Sequence, residues 1–303
     1  MSLPFQGIRT FCKTYHSLRP QTEFVVLGMP VDCATTFRSG ARMGPAAIRA
    51  ASMMLTDGVC AEWPVDIVPH VTDLGDLSLS TGNSLVAVQQ IQNVMAQLQA
   101  GEHHVVSLGG DHMITLGILR AMKMRYPDLA CVHLDAHCDT WSSHGDQPMG
   151  HGTWMFNAIN EGLINPHNTI SVGVRSAADD VTRNWLQDRG GETFSARRAV
   201  KYSARAMTDI ILARVGDKFC YLTLDIDCLD PAYAPGTGTP EISGLSTMWV
   251  EELIDALSGV KFVGMDCVEV APAYDHGEIT ALAAATFCWR YLSQRIHIGS
   301  QAI

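Results

Sequence analysis

Two apolar runs in this chain each end in a cluster of carboxylates. The first is Leu129–Leu134, followed by Asp135-Ala-His-Cys-Asp139; the second is Phe219–Leu224, followed by Asp225-Ile-Asp227. Apolar, β-branched runs of this length read as strands buried on both faces, and in open α/β sheets active sites lie at the carboxyl ends of such strands. Alternation would place Asp135, His137 and Asp139 on one face, and Asp225 and Asp227 likewise. A fully extended chain would separate Asp135 from Asp139 by roughly 13 Å, at about 3.3 Å per residue, too far to share one ion. The chain is therefore expected to curl off the sheet near Asp139. Five oxygen or imidazole groups from two adjacent strand ends suit about two divalent cations. A lone Asp at a strand end more often starts a turn or caps a helix, but two such clusters with His interleaved favour a metal site.

The rest of the chain repeats strand and helix. Strands are predicted over Glu23–Val31, within Val68–Leu79 up to a turn at Asp73–Asp76, and over His104–Leu108, Thr169–Val174, Thr193–Ser195 and from Lys261 to Pro272. Helices are predicted over Ala46–Met54, with Pro45 in the first turn, and over Ser84–Ala100, Met113–Tyr126, Val181–Gly190, Ser203–Val215, Ser246–Gly259 and Ile279–Arg295. This pattern specifies an α/β fold, a three-layer α/β/α sandwich around a mostly parallel sheet. With 303 residues and 47% hydrophobic content evenly mixed, residues 1–303 read as one domain. Residues 1–22 lack a period and read as an amino-terminal arm, whose Phe5, Phe11 and Tyr15 would pack on the domain or on a neighbouring subunit. Gly109-Gly-Asp-His112 reads as a tight strand-to-helix turn that lets other backbone approach and places His112 over the sheet edge. His151 stands between two glycines, sterically unobstructed, with His144 a weaker rival in the same loop. Glu269 falls near the end of the last strand. Arg38 and Arg42 lie in a glycine-containing loop that could meet an anion or serve structure alone. The segment 230–240, with three prolines, reads as a rigid loop over the site.

A formal charge of −10 and a pI near 5.6 disfavour nucleic acid and anionic membrane as partners and leave room for a cationic substrate. Nine cysteines without paired spacing read as reduced thiols. No signal-like or membrane-spanning run is present, so a soluble, cytoplasmic protein is expected.

The chain resembles the ureohydrolase superfamily, the arginases and agmatinases, over nearly its whole length. The matching motifs are Gly109-Gly-Asp-His112, Asp135-Ala-His-Cys-Asp139, His151-Gly-Thr153 and the run from Asp225 to Pro240. The wording of 264–275 and 278–286 is most similar to agmatinases and their guanidino-acid relatives. The resemblance implies an arginase-like fold and two manganese ions. One would be held by His112, Asp135, Asp139 and Asp225; the other by Asp135, His137, Asp225 and Asp227. An oxygen-rich donor set agrees with Mn²⁺, with Ni²⁺, Co²⁺ and Fe²⁺ as alternatives. It further implies hydrolysis of a guanidinium group by a water that two cations acidify, with catalytic roles for His151 and Asp139 in proton transfer and for Glu269 in holding the guanidinium. The expected reaction is agmatine to putrescine and urea. Guanidinobutyrate or guanidinopropionate hydrolysis is the alternative, followed by arginase, formiminoglutamate or guanidine hydrolysis. A non-catalytic metal-binding relative would have lost a ligand or the proton-transfer group, and none is missing. For the far end of the substrate, Asp146 and Glu161 suit an amine, whereas Arg38 and Arg42 suit a carboxylate. A homotrimer or homohexamer is implied by the resemblance alone.

Overall fold

The structure, a computed structural model, describes residues 6–56 and 59–301. Eight strands form one sheet: β1 (Phe24–Met29), β2 (Val71–Asp76), β3 (His104–Gly109), β4 (Leu129–Leu134), β5 (Ile164–Val174), β6 (Glu192–Ser195), β7 (Phe219–Asp225) and β8 (Lys261–Val268). Their order is β2-β1-β3-β8-β7-β4-β5-β6, and every neighbouring pair runs parallel. All carboxyl ends therefore open on one edge. The helices are α1 (Gly44–Ala51), α2 (Ser84–Ala100), α3 (Ile114–Met122), α4 (Trp154–Asn160), α5 (Asp180–Asn184), α6 (Ala196–Ala199), α7 (Ala204–Val215), α8 (Thr247–Ala256) and α9 (Ile279–Gln301).

Period-two alternation splits the core into two layers. Val26, Val106, Val132 and Leu222 pack with Ile48, Ile211, Leu253 and Leu292, from α1, α7, α8 and α9. On the other face Val25, Leu27, Val105, Cys131 and Tyr221 pack with Ile91, Leu116 and Trp154, from α2, α3 and α4. Strands buried on both faces have no polar side to alternate with, which is why they read as continuous apolar runs. Pro45 sits in the first turn of α1, and the Ser246 hydroxyl accepts the Trp249 N–H at the start of α8 at 3.2 Å.

Two local expectations need correction. The predicted turn at Asp73–Asp76 is strand: β2 runs through it, and Arg49 of α1 binds both Asp73 (2.7 Å) and Asp76. The span predicted as one helix from Val181 to Gly190 breaks into α5 and a 3₁₀ turn at Gln187–Arg189. For the amino-terminal segment, the first of the two expected packings, on the domain itself, is the one found at Phe11 and Tyr15. Phe11 is fully buried and its N–H donates to Asp73 at 2.7 Å, the Tyr15 carbonyl accepts the Asp73 N–H at 2.7 Å, and Phe5 lies outside the described residues.

None of the nine cysteines forms a disulfide. No helix of the described residues is long and apolar enough to cross a membrane.

Candidate metal centre and active site

The four central strands β3, β8, β7 and β4 are neighbours, and their carboxyl ends deliver His112, Glu269, Asp225 and Asp135 to one place. Strand alternation does not do the gathering. β4 stops at Leu134 and β7 at Asp225, so Asp135–Asp139 is a loop and Asp227 lies in a 3₁₀ turn, Ile226–Cys228. The Asp225 carboxylate accepts the Asp227 N–H at 2.9 Å, which sets that turn. Asp139 has φ of 54°, a left-handed backbone that folds its side chain back over the sheet edge, at the place where the extended spacing demanded a bend.

Two groups of side chains result, and they share Asp135. In the first, His112 Nδ1 lies 3.1 Å from Asp135 Oδ2, 3.1 Å from Asp139 Oδ2 and 3.2 Å from Asp225 Oδ2. In the second, His137 Nδ1 lies 3.3 Å from Asp135 Oδ1 and 3.1 Å from Asp227 Oδ2. The two oxygens of Asp135 thus face opposite groups.

The donor chemistry of these groups fits divalent cations. The Thr223 hydroxyl donates to Asp266 Oδ1 at 2.6 Å, so its oxygen is left to accept the His112 Nε2–H at 2.7 Å. Nδ1 is then the lone-pair end of the ring. It is buried with no hydrogen-bond partner and faces three carboxylate oxygens, an arrangement that repels unless a positive charge sits between. Although burial works against it, those three carboxylates raise the His112 pKa well above the ordinary imidazole value, the same pull toward positive charge at Nδ1 that a bound cation would satisfy in place of a proton. Burial, then the neighbouring Asp227 and Asp135, push the Asp225 carboxyl well above its usual value. Crowded buried carboxylates of this kind are relieved by metal coordination.

Beside these groups lies a cavity of about 450 Å³ lined by His112, His137, Asp139, Asp225, His151 and, at its remaining walls, Thr36, Phe37, Arg38, Trp141, His144, Thr239, Pro240 and Glu241. His151 is 8% exposed. Its Nδ1 lies 2.9 Å from Glu269 Oε1, while Nε2 accepts the Thr36 N–H at 3.2 Å and lies 2.8 Å from the Thr36 hydroxyl. Burial lowers its pKa, but the carboxylates of Glu269, Asp139 and Asp111 outweigh that and raise it to about 9. The glycines flanking it do not serve His151. A Cβ on Gly150 would meet the His144 ring at 2.8 Å, and one on Gly152 at 2.5 Å, so they make room for His144.

Glu269 stands behind His151 rather than among the cavity-lining residues. Its Oε1 accepts the His112 backbone N–H at 2.9 Å as well as the His151 ring, leaving Oε2 as its unpaired, buried oxygen. Asp111, next to it, has its carboxyl raised to about 7 by burial and by Glu269. Asp146 is exposed and outside the cavity lining, and Glu161 pairs with Arg120 at 2.6 Å on the surface, so neither faces a substrate there. Arg42 is bound to Asp32 within its own loop, whereas Arg38 lines the cavity.

Sequence reasoning did not single out His133, Trp154, Thr36 or Glu241. The Trp154 Nε1–H donates to Asp139 Oδ2 at 2.8 Å, and the ring stacks on His112 at 5.0 Å. His133 and Trp154 sit at positions whose apolar neighbours make them read as core, and only their contacts in the fold, Asp135 for one and Asp139 for the other, reveal otherwise.

The arginase family matches residues 22–293. An agmatinase of Photorhabdus laumondii is 41% identical over 293 residues, which cover 94% of this chain and 91% of that relative. The crystal structure of a hypothetical agmatinase from Burkholderia thailandensis superposes with a TM-score of 0.90 at 38% identity, covering 98% of this chain and 93% of that one. Proclavaminate amidino hydrolase from Streptomyces clavuligerus superposes with a TM-score of 0.92 at 33% identity, covering 98% of this chain and 99% of that one. With its motifs, its parallel sheet and its gathered His and Asp side chains all in agreement with these matches, the chain belongs to the arginase family.

Proposed function

We propose that this protein hydrolyses agmatine to putrescine and urea, using two manganese ions. The observation that carries the reading is the pair of His/Asp groups fused through Asp135 on one side of a cavity large enough for a small ligand. His112, Asp135, Asp139 and Asp225 would hold one ion; Asp135, His137, Asp225 and Asp227 the other. Oxygen donors with only two imidazoles and no thiolate favour Mn²⁺ over Zn²⁺. Two such cations supply Lewis acidity that makes a water nucleophilic near neutral pH.

The chain's own groups do the rest. Asp139, its Oδ2 held by the Trp154 N–H, takes a proton from the attacking water and passes it toward the leaving amine. His151 keeps Nδ1 against Glu269 and presents its cavity-facing edge near Thr36, positioned to hold or return a proton. Glu269, buried behind His151 and outside the cavity lining, holds that ring through Oε1, and its unpaired Oε2 would meet a guanidinium N–H only from behind the lining.

For the distal amine the cavity offers Glu241, whose carboxylate has no ion pair or side-chain hydrogen bond among the described residues. The other lining carboxylates, Asp139 and Asp225, face His112. Arg38 supports the second reading, a guanidino acid, because it brings a cation to the same wall. Rates of urea release across agmatine, 4-guanidinobutyrate, 3-guanidinopropionate, arginine and guanidine separate them. Agmatine should have the highest kcat/KM, and Glu241→Gln should raise KM for agmatine about tenfold while sparing the acids. Preference for an acid, lost in Arg38→Gln, would replace agmatine as the substrate. We also propose a homotrimer or homohexamer in the cytoplasm; light scattering that reads a monomer at micromolar concentration would remove the assembly.

A further inference from the structure

One buried row of polar side chains crosses the sheet on the face covered by α2, α3 and α4. Ser171 of β5, His133 of β4, Thr223 of β7 and Asp266 of β8 are consecutive in-register partners. All four are buried, with His133 fully so. A parallel sheet covered on both faces normally fills such a row with apolar residues, so each polar member needs a partner and a reason. Thr223 accepts the Nε2–H of His112 and donates to Asp266, which also accepts from the Thr115 and Tyr221 hydroxyls. His133 has a different partner.

His133 Nδ1 lies 3.0 Å from the Ser171 hydroxyl and Nε2 lies 2.8 Å from Asp135 Oδ2. The carboxylate is an acceptor, so Nε2 carries the proton and Nδ1 accepts from Ser171. The ring has little freedom to turn, with Trp154 edge-on at 5.3 Å and His112 at 5.3 Å. Asp135 is the side chain both groups share, and its two oxygens must face His112 and His137 at once. A carboxylate free to rotate about its Cβ–Cγ bond would satisfy one group and leave the other.

We propose that His133, held by Ser171, is a positioning residue that fixes the plane of the Asp135 carboxylate between the two metal-ligating groups. The inference rests on the metal-site reading above and not on the identity of the substrate. It also excludes His133 as a ligand in its own right, although its ring nitrogen lies within the same donor cluster as His112, Asp135 and Asp139: both nitrogens are already committed.

The test is Mn²⁺ titrated calorimetrically into the chelator-stripped full-length chain, with thermal melts of the stripped proteins alongside. His133→Phe keeps the ring's shape and removes the donor, and should weaken Mn²⁺ binding by about 10- to 100-fold, the usual cost of losing an outer partner of a ligand. His133→Gln retains an N–H donor of similar reach and should stay within about threefold of the parent, and Ser171→Ala should fall between, still with two ions per chain. Affinity in His133→Phe within about twofold of the parent overturns the proposal, whatever its melting temperature. Equal loss in His133→Gln and His133→Phe, with one ion per chain, overturns it in favour of direct coordination. If His133→Phe does not fold, Ser171→Ala decides alone, and parent-like affinity there overturns the proposal. A parent chain that binds no Mn²⁺ would instead remove the metal-site reading on which it stands.

Discussion

His151 meets the cavity with one edge of its ring and Glu269 with the other, which separates proton handling from metal holding at the level of a single side chain. His151→Asn should lower turnover by roughly 10² to 10⁴, the range for loss of a general acid or base, while KM shifts less. Two ions per chain should remain, because none of the six side chains proposed as ligands is touched. Near-normal turnover with a full metal complement would take His151 out of the chemistry. At this scale the sequence was informative about residues whose partners are close in the chain. Asp135, His137 and Asp139 stand within five positions, and the bend at Asp139 follows from arithmetic on strand rise. It was uninformative about Asp146 and Glu161, since charge suits an amine wherever it is, and only the fold puts one on the surface and the other against Arg120.

Among the elements, the turn between β3 and α3 carries a tight constraint that bears directly on the site. Gly110 donates its N–H to the Met29 carbonyl at 3.2 Å, and Asp111 donates to the Val31 carbonyl at 2.7 Å, so the end of β1 lies directly on this turn. A Cβ on Gly110 would sit 2.4 Å from both the Met29 and Val31 carbonyl oxygens, and backbone cannot give way as a side-chain tip can. Gly110→Ala should therefore cost about 1–3 kcal/mol of stability and displace His112, two residues on. Urea denaturation of metal-stripped protein reads the first effect and Mn²⁺ titration the second; an unchanged midpoint with unchanged affinity would contradict the close approach. The strands and long helices were legible because their period and caps are local: α2 runs Ser84–Ala100 as its pattern predicts. Strand β2 was not legible through Asp73–Asp76, because the two aspartates that look like a turn are bound there by Arg49 from α1, a partner more than twenty residues away in sequence. The row Ser171–His133–Thr223–Asp266 was hidden for the same reason, since strand order rather than sequence order makes those residues neighbours.

Over the whole molecule, an all-parallel sheet places every strand's carboxyl end on one edge, and the order β3-β8-β7-β4 brings four separate motifs into one site. The result is a concentration of buried carboxylate that the protein alone leaves only partly compensated: among the described residues Asp135, Asp139, Asp225 and Asp227 face the imidazoles of His112 and His137, with His133 against Asp135 alone, and none of the four pairs with a Lys or Arg. Cations that bind the folded state alone should stabilise it by about 2.7 kcal/mol at a hundredfold excess over their Kd, so chelation should lower the melting temperature as well as the rate. The most direct test joins both to the chemistry: urea release from agmatine by the chelator-stripped chain, measured as Mn²⁺ is returned and bound ions are counted. The account predicts no urea without metal and full activity at two ions per chain, with putrescine formed in equal amount. Undiminished urea release from metal-free protein, or two bound ions with no hydrolysis of agmatine, would contradict it.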